Sequence, residues 1–406
     1  MIQCAVLCGG LGTRLGALTA ETPKPLLEVA GEPFLETLIF ELGRQGIRKV
    51  LLLAAFRNDK ITAFARTSPA AQRFGVEIEV AIEPDRAGTG GALWHAQDRL
   101  EDVFFLINGD TWFDIPVLSL YRRAHAEPDA CEGVIALRKV DDASRYGTVD
   151  LDEAGRVTGF AEKSERRGES YINGGIYFLS KQALRLTAPQ CSIEYDVLPA
   201  LAAEGRLRGV PFDDNYFIDI GIPETYERAQ TEIPAQKQRP AVFLDRDGVI
   251  NEDHGHVGSV DRFTFIPGAP EAVAMLNAAG YYVFVVTNQA GIGRGYYSEA
   301  DHLALMAHIE VELLKAGAHF DDHRYSPYHP EAGIGHYRQD HAWRKPRPGM
   351  LLDLMEHWRI DKSRSFIIGD KDSDIEAGRQ AGIQGHLFTG GNLADFVRGL
   401  LDADGH

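Results

Sequence analysis

The chain falls into two consecutive series of short apolar runs that alternate with helix-like patterns. In the first series, strand-sized runs such as "CAVLC", "KVLLLAA" and "VFFLINGD" are separated by periodic stretches such as "PFLETLIFELGRQGI". The second series starts at "AVFLDRD", directly after "TEIPAQKQRP", which has two prolines and no periodicity. Because strands that alternate with helices build parallel sheets covered by helices, this pattern predicts two α/β domains. We place them at residues 1–232 and 240–406, joined by a linker at 233–239.

Length and charge limit the classes of protein that fit this pattern. At 406 residues the chain exceeds what one hydrophobic core usually serves. Its formal net charge of -17 opposes nonspecific binding to nucleic acid or to an anionic membrane surface. The four cysteines lack CxxC spacing, the apolar runs are too short to span a bilayer, and the N-terminus does not read as a signal peptide. We therefore expect a reduced, cytoplasmic enzyme without a nucleic-acid or membrane partner.

A glycine-rich turn follows the first apolar run. In "LCGGLGTRLGALTAETPKP", Gly9, Gly10 and Gly12 allow backbone N–H groups to approach phosphate oxygens closely. Arg14 and Lys24 can balance the charge of a leaving pyrophosphate. Glycine spacing alone is equally compatible with a tight strand-to-helix turn flanked by surface basic residues. The loop alone therefore leaves both interpretations open.

The wider sequence resembles the sugar-1-phosphate nucleotidylyltransferases. Their signature GGxGTRLxxxTxxxPKP is matched at every fixed position, and the similarity covers the whole first domain. The resemblance implies a Rossmann-like, GT-A-like fold in which Asp110 of "NGDT" and Asp219 of "FIDIGIPE" bind Mg²⁺, with Arg14 and Lys24 acting on pyrophosphate. It implies nucleotide or sugar contacts for Gly9, Gly10, Gly12, Thr13, Glu83, Gly88, Lys163, Asn173, Gly174, Glu194 and the nearby Asp196.

These residue types suit the reaction that the resemblance implies. A sugar phosphate attacks the α-phosphorus of a nucleoside triphosphate, so two polyanions meet while pyrophosphate leaves. Carboxylate-bound Mg²⁺ and a basic glycine loop stabilise this charge, and Lys163 would hold the attacking phosphate in line. Taken singly, Asp110 would suit a strand-end turn and Lys163 a solvated surface. The prediction therefore rests on the whole set of residues.

An Asp-Arg-Asp sequence ends the first strand of the second series. "AVFLDRDGVIN" places Asp245 and Asp247 after an apolar run, at the strand end where α/β folds build active sites. Alone, the pair would better suit a turn cap. Together with "VVTNQAGIGRG", "RKP" and "IGDKDSD", it resembles the haloacid-dehalogenase-like (HAD-like) phosphatases, whose four motifs occur here in order.

This second resemblance implies an aspartyl-phosphate mechanism on a HAD-like Rossmannoid fold. Asp245 would attack phosphorus, and Asp247 would protonate the leaving alcohol and then activate water. Asp370 would complete a Mg²⁺ site with Asp245 and the backbone carbonyl of Asp247. The other implied roles are phosphoryl orientation for Thr287 and Asn288, charge stabilisation for Lys345, and either metal-site support or helix capping for Asp374.

Finer motifs narrow the phosphatase subgroup. "FLDRDGVINEDHGHV", "HPE", "YRQD" and "RKPRPGMLLD" resemble the subgroup that contains D-glycero-D-manno-heptose 1,7-bisphosphate phosphatase, with histidinol-phosphate phosphatase as its nearest relative. The resemblance implies that Arg344 contacts the phosphate retained on the substrate. It also implies that residues 253–257 contribute to a substrate-facing loop.

One loop departs from this subgroup. Its members usually carry a structural zinc loop, CxH…CxC, before the Arg-Lys-Pro motif, and the aligned positions here are Ser326, Tyr328, His341 and Trp343. Since thiolates supply much of the affinity of such sites and this half has no cysteine, we predict a zinc-free loop held by packing of Tyr328 and Trp343. A metal site made by His329, His336 and His341 is the less favoured alternative.

Both resemblances together imply a bifunctional enzyme. Removing the 7-phosphate of heptose 1,7-bisphosphate leaves heptose 1-phosphate, which the first domain would join to a nucleotide, with GTP inferred from the pathway and not from residues. The products would be a GDP-heptose for surface polysaccharide, pyrophosphate and phosphate, and a homo-oligomer stays possible. Three alternatives are open: a hexose 1-phosphate transferase fused to a phosphatase for another ester such as histidinol phosphate, a noncatalytic nucleotide-sugar sensor, and a scaffold.

Overall fold

Two compact units form the computed structural model, which describes residues 2–10, 12–84, 87–126, 131–143, 147–161 and 168–403. They are Met1–Ala235 and Gln236–His406. The helix that ends the first unit, Pro223–Gln236, runs four residues into the segment that we expected to be a linker. Ala229 and Ile233 on this helix are buried, so tertiary packing outweighs the aperiodic composition and the internal Pro234. The first four residues of the predicted linker therefore belong to a helix, and the boundary between the units lies inside the predicted segment.

The first unit is built on a nine-stranded mixed sheet. Its strands and those of two small two-stranded sheets are β1 Gln3–Leu7, β2 Glu28–Val29, β3 Glu32–Pro33, β4 Lys49–Ala54, β5 Glu77–Ile82, β6 Val103–Asn108, β7 Thr111–Phe113, β8 Gly133–Val140, β9 Thr148–Leu151, β10 Val157–Ala161, β11 Ser170–Ser180, β12 Leu207–Phe212 and β13 Phe217–Asp219. Strands β6, β1, β4 and β5 are adjacent and parallel, with β11 antiparallel to β6. The mainly parallel sheet that the alternation predicted is confirmed in this part.

Helices and short turns cover that sheet. The helices are α1 Phe34–Arg44, α2 Asn58–Thr67, α3 Pro69–Phe74, α4 Gly88–Ala96, α5 Leu118–Ala126, α6 Leu198–Ala203 and α7 Pro223–Gln236. Short 3₁₀ segments occupy Thr13–Thr19, Lys24–Leu26, Gln97–Arg99 and Lys181–Leu186, and a π-helical turn occupies Ile193–Val197. The central β1 is buried on both faces, which explains its uninterrupted apolar sequence. The ends of β1 and β6 therefore meet at one edge of the sheet.

The second unit has a five-stranded parallel sheet in the order β16-β15-β14-β17-β18. Its strands are β14 Ala241–Leu244, β15 Tyr282–Asn288, β16 Asp322–Ser326, β17 Phe366–Gly369 and β18 Gln384–Leu387. Its helices are α8 Ala269–Ala278, α9 Ala290–Gly293, α10 Glu299–Lys315, α11 Gly349–His357, α12 Asp372–Ala381 and α13 Leu393–Ala403, with 3₁₀ turns at Val260–Arg262, Gly335–Tyr337 and Lys362–Arg364.

Two features of this unit place its polar residues. The central strand β14 is wholly buried between β15 and β17, so the residues after these three strands converge at one edge. Ser298 and Asp301 form a capping box that starts α10 where the sequence pattern predicts a helix.

Within the described ranges of both units, no helix is long and apolar enough to cross a bilayer.

Candidate active sites

In the first unit, two aspartates lie side by side at the end of β6. The β7–β13 pairing sets Asp219 opposite Thr111, and the Ile220 N–H donates to the Asp110 carbonyl at 3.0 Å. Gly109 lets the end of β6 lie close to β1, since a Cβ there would lie 2.4 Å from the Leu7 carbonyl oxygen. The structure thus brings together the two residues that were predicted to bind metal, although they are 109 residues apart in sequence.

Lys24 lies between these carboxylates. Its buried ammonium group bonds to Asp110, and a Cβ at Gly221 would lie 2.9 Å from Lys24 Nζ and 2.7 Å from Asp219 Oδ1. Burial raises the pKa of Asp219, and the charge of Asp110 acts in the same direction, while Lys24 and Arg14 oppose it. Two carboxylates beside one ammonium group leave a net negative charge, which fits a divalent cation.

The glycine loop borders a cavity of about 250 Å³. Gly12 has a positive φ of 61°, and its carbonyl accepts a hydrogen bond from Thr19 Oγ1 at 2.9 Å. Thr13 and Arg14 follow in an exposed 3₁₀ segment. Residues lining the cavity include Gly10, Gly12, Lys24, Asp110 and Glu194. The space has the chemistry of a polyphosphate cradle, with backbone groups on one wall and the Lys24–Asp110 pair on another.

Glu83 adjoins the same loop. A Cβ at Gly9 would lie 2.2 Å from Glu83 Oε1, so only glycine fits at that position without movement. Burial raises the pKa of Glu83 to about 7. Its Oε2 is buried and has no hydrogen-bond partner among the described residues. The site therefore contains an acceptor that protein groups do not satisfy.

A larger cavity of about 660 Å³ is lined by Asn173 and Glu194. Asn173 Nδ2 donates to Tyr177 Oη at 2.8 Å, and its Oδ1 accepts from the Gly175 N–H at 2.8 Å. Gly174 packs on the Phe113 ring, at 2.6 Å for a notional Cβ, and its predicted sugar contact stays a prediction. Lys163 lies outside the described residues.

Glu194 lines both cavities, which therefore adjoin. Its Oε2 accepts from Thr89 Oγ1 and Ser192 Oγ, both at 2.7 Å. Thr89 was not among the predicted site residues, although its "GTGG" sequence begins α4. Gly88, with a φ of 78°, packs on the Cys191 carbonyl, and the exposed Asp196 accepts the Ser192 N–H at 2.7 Å. Gly88 and Asp196, which were predicted to contact substrate, thus also make contacts within the protein.

In the second unit, Asp245 is buried at the end of β14 beside Lys345. Lys345 Nζ lies 3.0 Å from Asp245 Oδ1 and 2.6 Å from Asp374 Oδ1, and it donates to the Val286 carbonyl at 2.7 Å. Burial raises the pKa of Asp245 to about 6, although Lys345 opposes the shift. Burial acts to lower the pKa of Lys345, but the carboxylates of Asp245 and Asp374 outweigh it and raise that pKa.

Three carboxylates in this site could hold a metal ion. One oxygen from each of Asp245, Asp370 and Asp374 lies within 4.8 Å of the others. Asp370 Oδ1 is buried without a hydrogen-bond partner among the described residues, and burial raises the pKa of Asp370. A hard divalent cation suits such an all-oxygen set. Asp374 belongs to this group and also caps α12, because its Oδ2 accepts the Lys371 N–H at 3.1 Å.

The next strand carries Thr287 and Asn288. Thr287 is buried, and its Oγ1 accepts from Gln289 Nε2 at 2.8 Å. Asn288 Nδ2 donates to the Lys345 carbonyl at 3.0 Å, and its Oδ1 accepts the Lys345 N–H at 3.1 Å. The Asn288 side chain is thus committed to the backbone of Lys345 and positions the lysine, while its predicted role toward phosphoryl oxygens stays a prediction.

Asp247 and Arg344 flank the reactive cluster. The Asp247 carboxylate stands outside the metal-competent group and is bound by Arg246, Asn251 and Gln289. Half-buried Arg344 donates to the Tyr328 carbonyl at 3.1 Å, and burial, assisted by Arg294, lowers the pKa of Arg344. In the predicted substrate-facing loop, Asp253 pairs with Lys371 at 3.2 Å. Lys371 also lies 3.3 Å from Asp370, which ties this loop to the site.

The loop that departs from the zinc pattern contains stacked aromatic rings. Tyr328 and His341 stack with ring centroids 4.0 Å apart and planes at 24°, and Trp343 lies edge-on to His341 at 6.3 Å. Ser326 is fully buried at the end of β16. The four aligned positions therefore contribute packing contacts.

The histidines of this loop are engaged locally. His329 Nδ1 accepts the N–H groups of Glu331 and Ala332 at 3.2 and 3.0 Å. His341 Nδ1 accepts the Trp343 N–H at 3.1 Å, and His336 packs on Tyr337 with centroids 3.9 Å apart. Among the described residues, the metal-competent grouping of three or more ligands is the aspartate cluster, not these histidines.

Comparison with known proteins divides the chain at the same place. The family model described as nucleotidyl transferase matches residues 4–236, and one described as HAD-hydrolase-like matches residues 342–395. A D-glycero-alpha-D-manno-heptose 1-phosphate guanylyltransferase from Campylobacter jejuni is 36% identical over 226 residues, covering 55% of this chain and 97% of the relative. A D-glycero-beta-D-manno-heptose-1,7-bisphosphate 7-phosphatase from Rhodopseudomonas palustris is 49% identical over 164 residues, covering 40% and 91%.

A solved structure adds to these matches. HddC from Yersinia pseudotuberculosis is 32% identical and superposes with a TM-score of 0.50, covering 57% of this chain and all of that one. Both expected folds and both resemblances are thus confirmed. The chain belongs to the nucleotidyl transferase family, and its second unit belongs to the HAD-like phosphatases.

Proposed function

We propose that this chain is a bifunctional enzyme that removes the 7-phosphate of D-glycero-D-manno-heptose 1,7-bisphosphate and transfers GMP from GTP to the resulting heptose 1-phosphate. The observation that carries the proposal is the match of the two halves to relatives whose named activities follow one another; the Lys24–Asp110 pair in one half and the aspartate cluster in the other support it. The product of the first reaction is the acceptor of the second. Release of phosphate and pyrophosphate accompanies the two steps.

In the first unit, substrates react with each other and the protein supplies charge and position. An oxygen of the sugar phosphate attacks the α-phosphorus, and the bond to pyrophosphate breaks. Lys24, fixed by Asp110, and Arg14 on the exposed 3₁₀ segment face the charge that collects on pyrophosphate. We assign Mg²⁺ to Asp110 and Asp219; when bound, it neutralises phosphate charge. Lys163 would hold the attacking phosphate.

Base selection would fall to Glu83. Its Oε1 lies beside the glycine loop, its Oε2 is unsatisfied, and an ionised carboxylate accepts hydrogen bonds only. Guanine presents two adjacent donors, N1–H and the exocyclic amino group, which a carboxylate can accept together. Adenine, cytosine and uracil lack such a pair. The sugar would occupy the larger cavity beside Asn173 and Glu194, with Gly88 and Thr89 at the junction.

In the second unit, Asp245 is the nucleophile. Its oxygen bonds to the 7-phosphorus as the bond to the sugar oxygen breaks, and Asp247 gives its proton to that oxygen. Water then attacks the aspartyl-phosphate, Asp247 takes the proton, and the Asp245–phosphorus bond breaks. Lys345 balances the charge of both states, and Arg344 would bind the retained 1-phosphate. We assign Mg²⁺ to Asp245, Asp370 and Asp374, with the backbone carbonyl of Asp247; when bound, it neutralises phosphoryl charge.

The anomer is decided by the transfer step. The phosphatase relative is named for the beta sugar and the guanylyltransferase relative for the alpha sugar. Phosphatase relatives are named for either anomer, whereas the transfer reaction takes place at the 1-phosphate itself, so we assign the alpha anomer to the sequence of reactions.

Product identification tests the whole proposal. Purified full-length protein is incubated with Mg²⁺, each anomer of heptose 1,7-bisphosphate and each of the common nucleoside triphosphates, and products are identified by mass spectrometry. GDP-heptose, phosphate and pyrophosphate from the alpha anomer are expected. Preference for a hexose 1-phosphate, or for histidinol phosphate over the bisphosphate, would reject the assignment.

A further inference from the structure

The carboxylate of Asp247 is bound through both oxygens by three neighbouring side chains. Oδ1 accepts from Arg246 Nη2 at 2.9 Å and Nε at 3.2 Å, and from Asn251 Nδ2 at 3.0 Å. Oδ2 accepts from Arg246 Nη2 at 3.0 Å and from Gln289 Nε2 at 2.9 Å. The orientation of the carboxylate is therefore set, since rotating it would disturb bonds to both oxygens. We call Arg246, Asn251 and Gln289 the Asp247 clamp.

Arg246, which separates the two reactive aspartates in sequence, is fully buried. Its Nη2 also donates to the Val257 carbonyl, and its Nη1 lies 3.2 Å from Nδ1 of buried His302. Burial lowers the pKa of His302 to about 3, and the charge of Arg246 acts in the same direction. The imidazole is therefore neutral at pH 7 and can accept at Nδ1. The Val257 carbonyl and His302 therefore hold the Arg246 guanidinium on the side away from Asp247.

Gln289 is fixed from its other side. Its Oε1 accepts from Tyr297 Oη at 2.5 Å, so its Nε2 points to Asp247 and Thr287. The Tyr297 ring packs against two glycines: a Cβ at Gly258 or Gly291 would lie 2.3 Å from it. These contacts leave the Gln289 amide little freedom to turn away from Asp247.

We propose that the Asp247 clamp, centred on Arg246, is a positioning device that aims Asp247 at the leaving oxygen and then at the attacking water. The proposal rests on the proposed phosphatase activity. A general acid must come within hydrogen-bond reach of the group that it protonates, and small displacements cost large factors in rate. Asp245 does not depend on these side chains, since it is bound by Lys345 and by the backbone N–H of Arg246 at 2.7 Å.

Substrates with different leaving groups can distinguish a positioning role of the Asp247 clamp from a general structural role. A sugar alkoxide must be protonated as it leaves, whereas p-nitrophenolate leaves without a proton. Hydrolysis of the aspartyl-phosphate needs Asp247 as a base whichever ester formed it. A displaced Asp247 should therefore slow attack on the sugar ester, spare attack on p-nitrophenyl phosphate, and make the aspartyl-phosphate accumulate.

The experiment compares full-length Arg246→Gln, Gln289→Leu and wild-type protein. On heptose 1,7-bisphosphate we expect kcat to fall about 100-fold for Arg246→Gln and about tenfold for Gln289→Leu. With p-nitrophenyl phosphate, we expect a rapid burst of p-nitrophenol followed by slow turnover. Gln289→Leu gives the same test if the buried arginine cannot be replaced without unfolding. Arg379→Gln, at an exposed arginine paired with Glu376 on α12, is the matched control and should behave as wild type.

The outcomes are distinct. Equal losses on both esters without a burst, or no loss on the sugar ester, would overturn the positioning role. If wild-type protein does not hydrolyse heptose 1,7-bisphosphate, the proposed substrate fails. Histidinol phosphate or another alkyl ester that it does hydrolyse then supplies the alkyl arm, and the clamp is tested on that ester.

Discussion

The two units place aspartates at the ends of parallel strands but use them differently. In the first unit, the Asp110 side chain is 30% exposed and bonds to Lys24, and the proposed reacting atoms all belong to substrates. In the second unit, the Asp245 side chain is 9% exposed, pairs with Lys345 and is itself the proposed nucleophile. The more exposed aspartates of the first unit, which we call the open site, leave room for two large anions. The buried aspartates around Lys345 in the second unit, which we call the closed site, hold one reactive oxygen in place.

The surrounding charges follow the same division. Asp110 bonds to buried Lys24, Asp219 lies beside the same lysine, and Asp110 lines a cavity that is bordered by Lys24 and by glycine residues. Asp245, Asp370 and Asp374 lie within 4.8 Å of one another around Lys345. A carboxylate that must attack phosphorus needs an adjacent cation to approach a phosphate anion at all. We therefore expect substitutions at the closed site to cost more activity than substitutions at the open site.

Replacing the nucleophile should give the largest effect. Asp245→Asn removes the attacking oxygen charge, and we expect phosphate release from the bisphosphate to fall roughly 10⁵-fold or more. Pyrophosphate release by the first unit from preformed heptose 1-phosphate should stay as in wild type. Asp261→Asn, at an exposed aspartate of the same unit, is the control. Substantial phosphatase activity in Asp245→Asn would contradict the assignment.

A smaller loss is expected at the open site. Asp110→Asn leaves Asp219 as the remaining carboxylate and frees Lys24, so we expect the rate of pyrophosphate release to fall about 10²- to 10³-fold. Phosphate release by the second unit should be unchanged. Asp98→Asn, exposed in the same unit, is the matched control. A loss equal to that of Asp245→Asn would break the proposed contrast between the sites.

Base choice should depend on Glu83 and on pH. Glu83→Gln removes one acceptor, and we expect the preference for GTP over other nucleoside triphosphates to fall about 10- to 100-fold. Since the pKa of Glu83 is raised to about 7, the accepting carboxylate forms as pH rises through 7, and KM for GTP should decrease from pH 6 to pH 8. The KM of Glu83→Gln should be flat over this range. A pH-dependent KM in the variant would assign the titration elsewhere.

His302 should make the second unit sensitive to acid. Its pKa of about 3 in the folded state lies below the free value, so its contribution to stability is complete above pH 6.5 and falls as the pH decreases. At pH 5 this loss is about 2 kcal/mol. Hydrogen-exchange protection of α10, corrected for intrinsic rates, should show that loss in wild type but not in His302→Gln. Asp245, whose folded pKa is raised, contributes with the opposite sign, so the difference between the two proteins is the relevant measurement.

The smallest effect is expected in the aromatic loop. Tyr328→Ala removes the stack on His341, and we expect a loss of about 1 kcal/mol in local stability, seen as faster exchange across residues 326–346.

Elemental analysis of purified wild-type protein should find less than stoichiometric zinc. Tightly bound stoichiometric zinc, lost on replacing His329 or His341, would show that the loop binds metal.

Residues within continuous motifs were the most predictable parts of both sites. Asp245, Lys345 and Asp370 follow from short segments whose spacing implies their chemistry, and the structure brings them together. The pairing of Thr89 with Glu194 was missed because it joins residues 105 apart through packing of α4 against the π-helical turn. The close packing of Gly174 on Phe113 was likewise not predicted, because it joins residues from two separate strands.

Local sequence was enough to predict two α/β units and their order, because alternating apolar periods are a local property, whereas the roles proposed for the aspartates needed the resemblance of whole sets of motifs. Only the tertiary structure decided which side chains form ion pairs or hydrogen bonds with one another. The commitment of Asn288 to Lys345, the clamp on Asp247 and the unsatisfied oxygen of Glu83 all depend on segments distant in sequence. Such contacts arise when buried polar groups must find partners in three dimensions, and no local pattern encodes those partners.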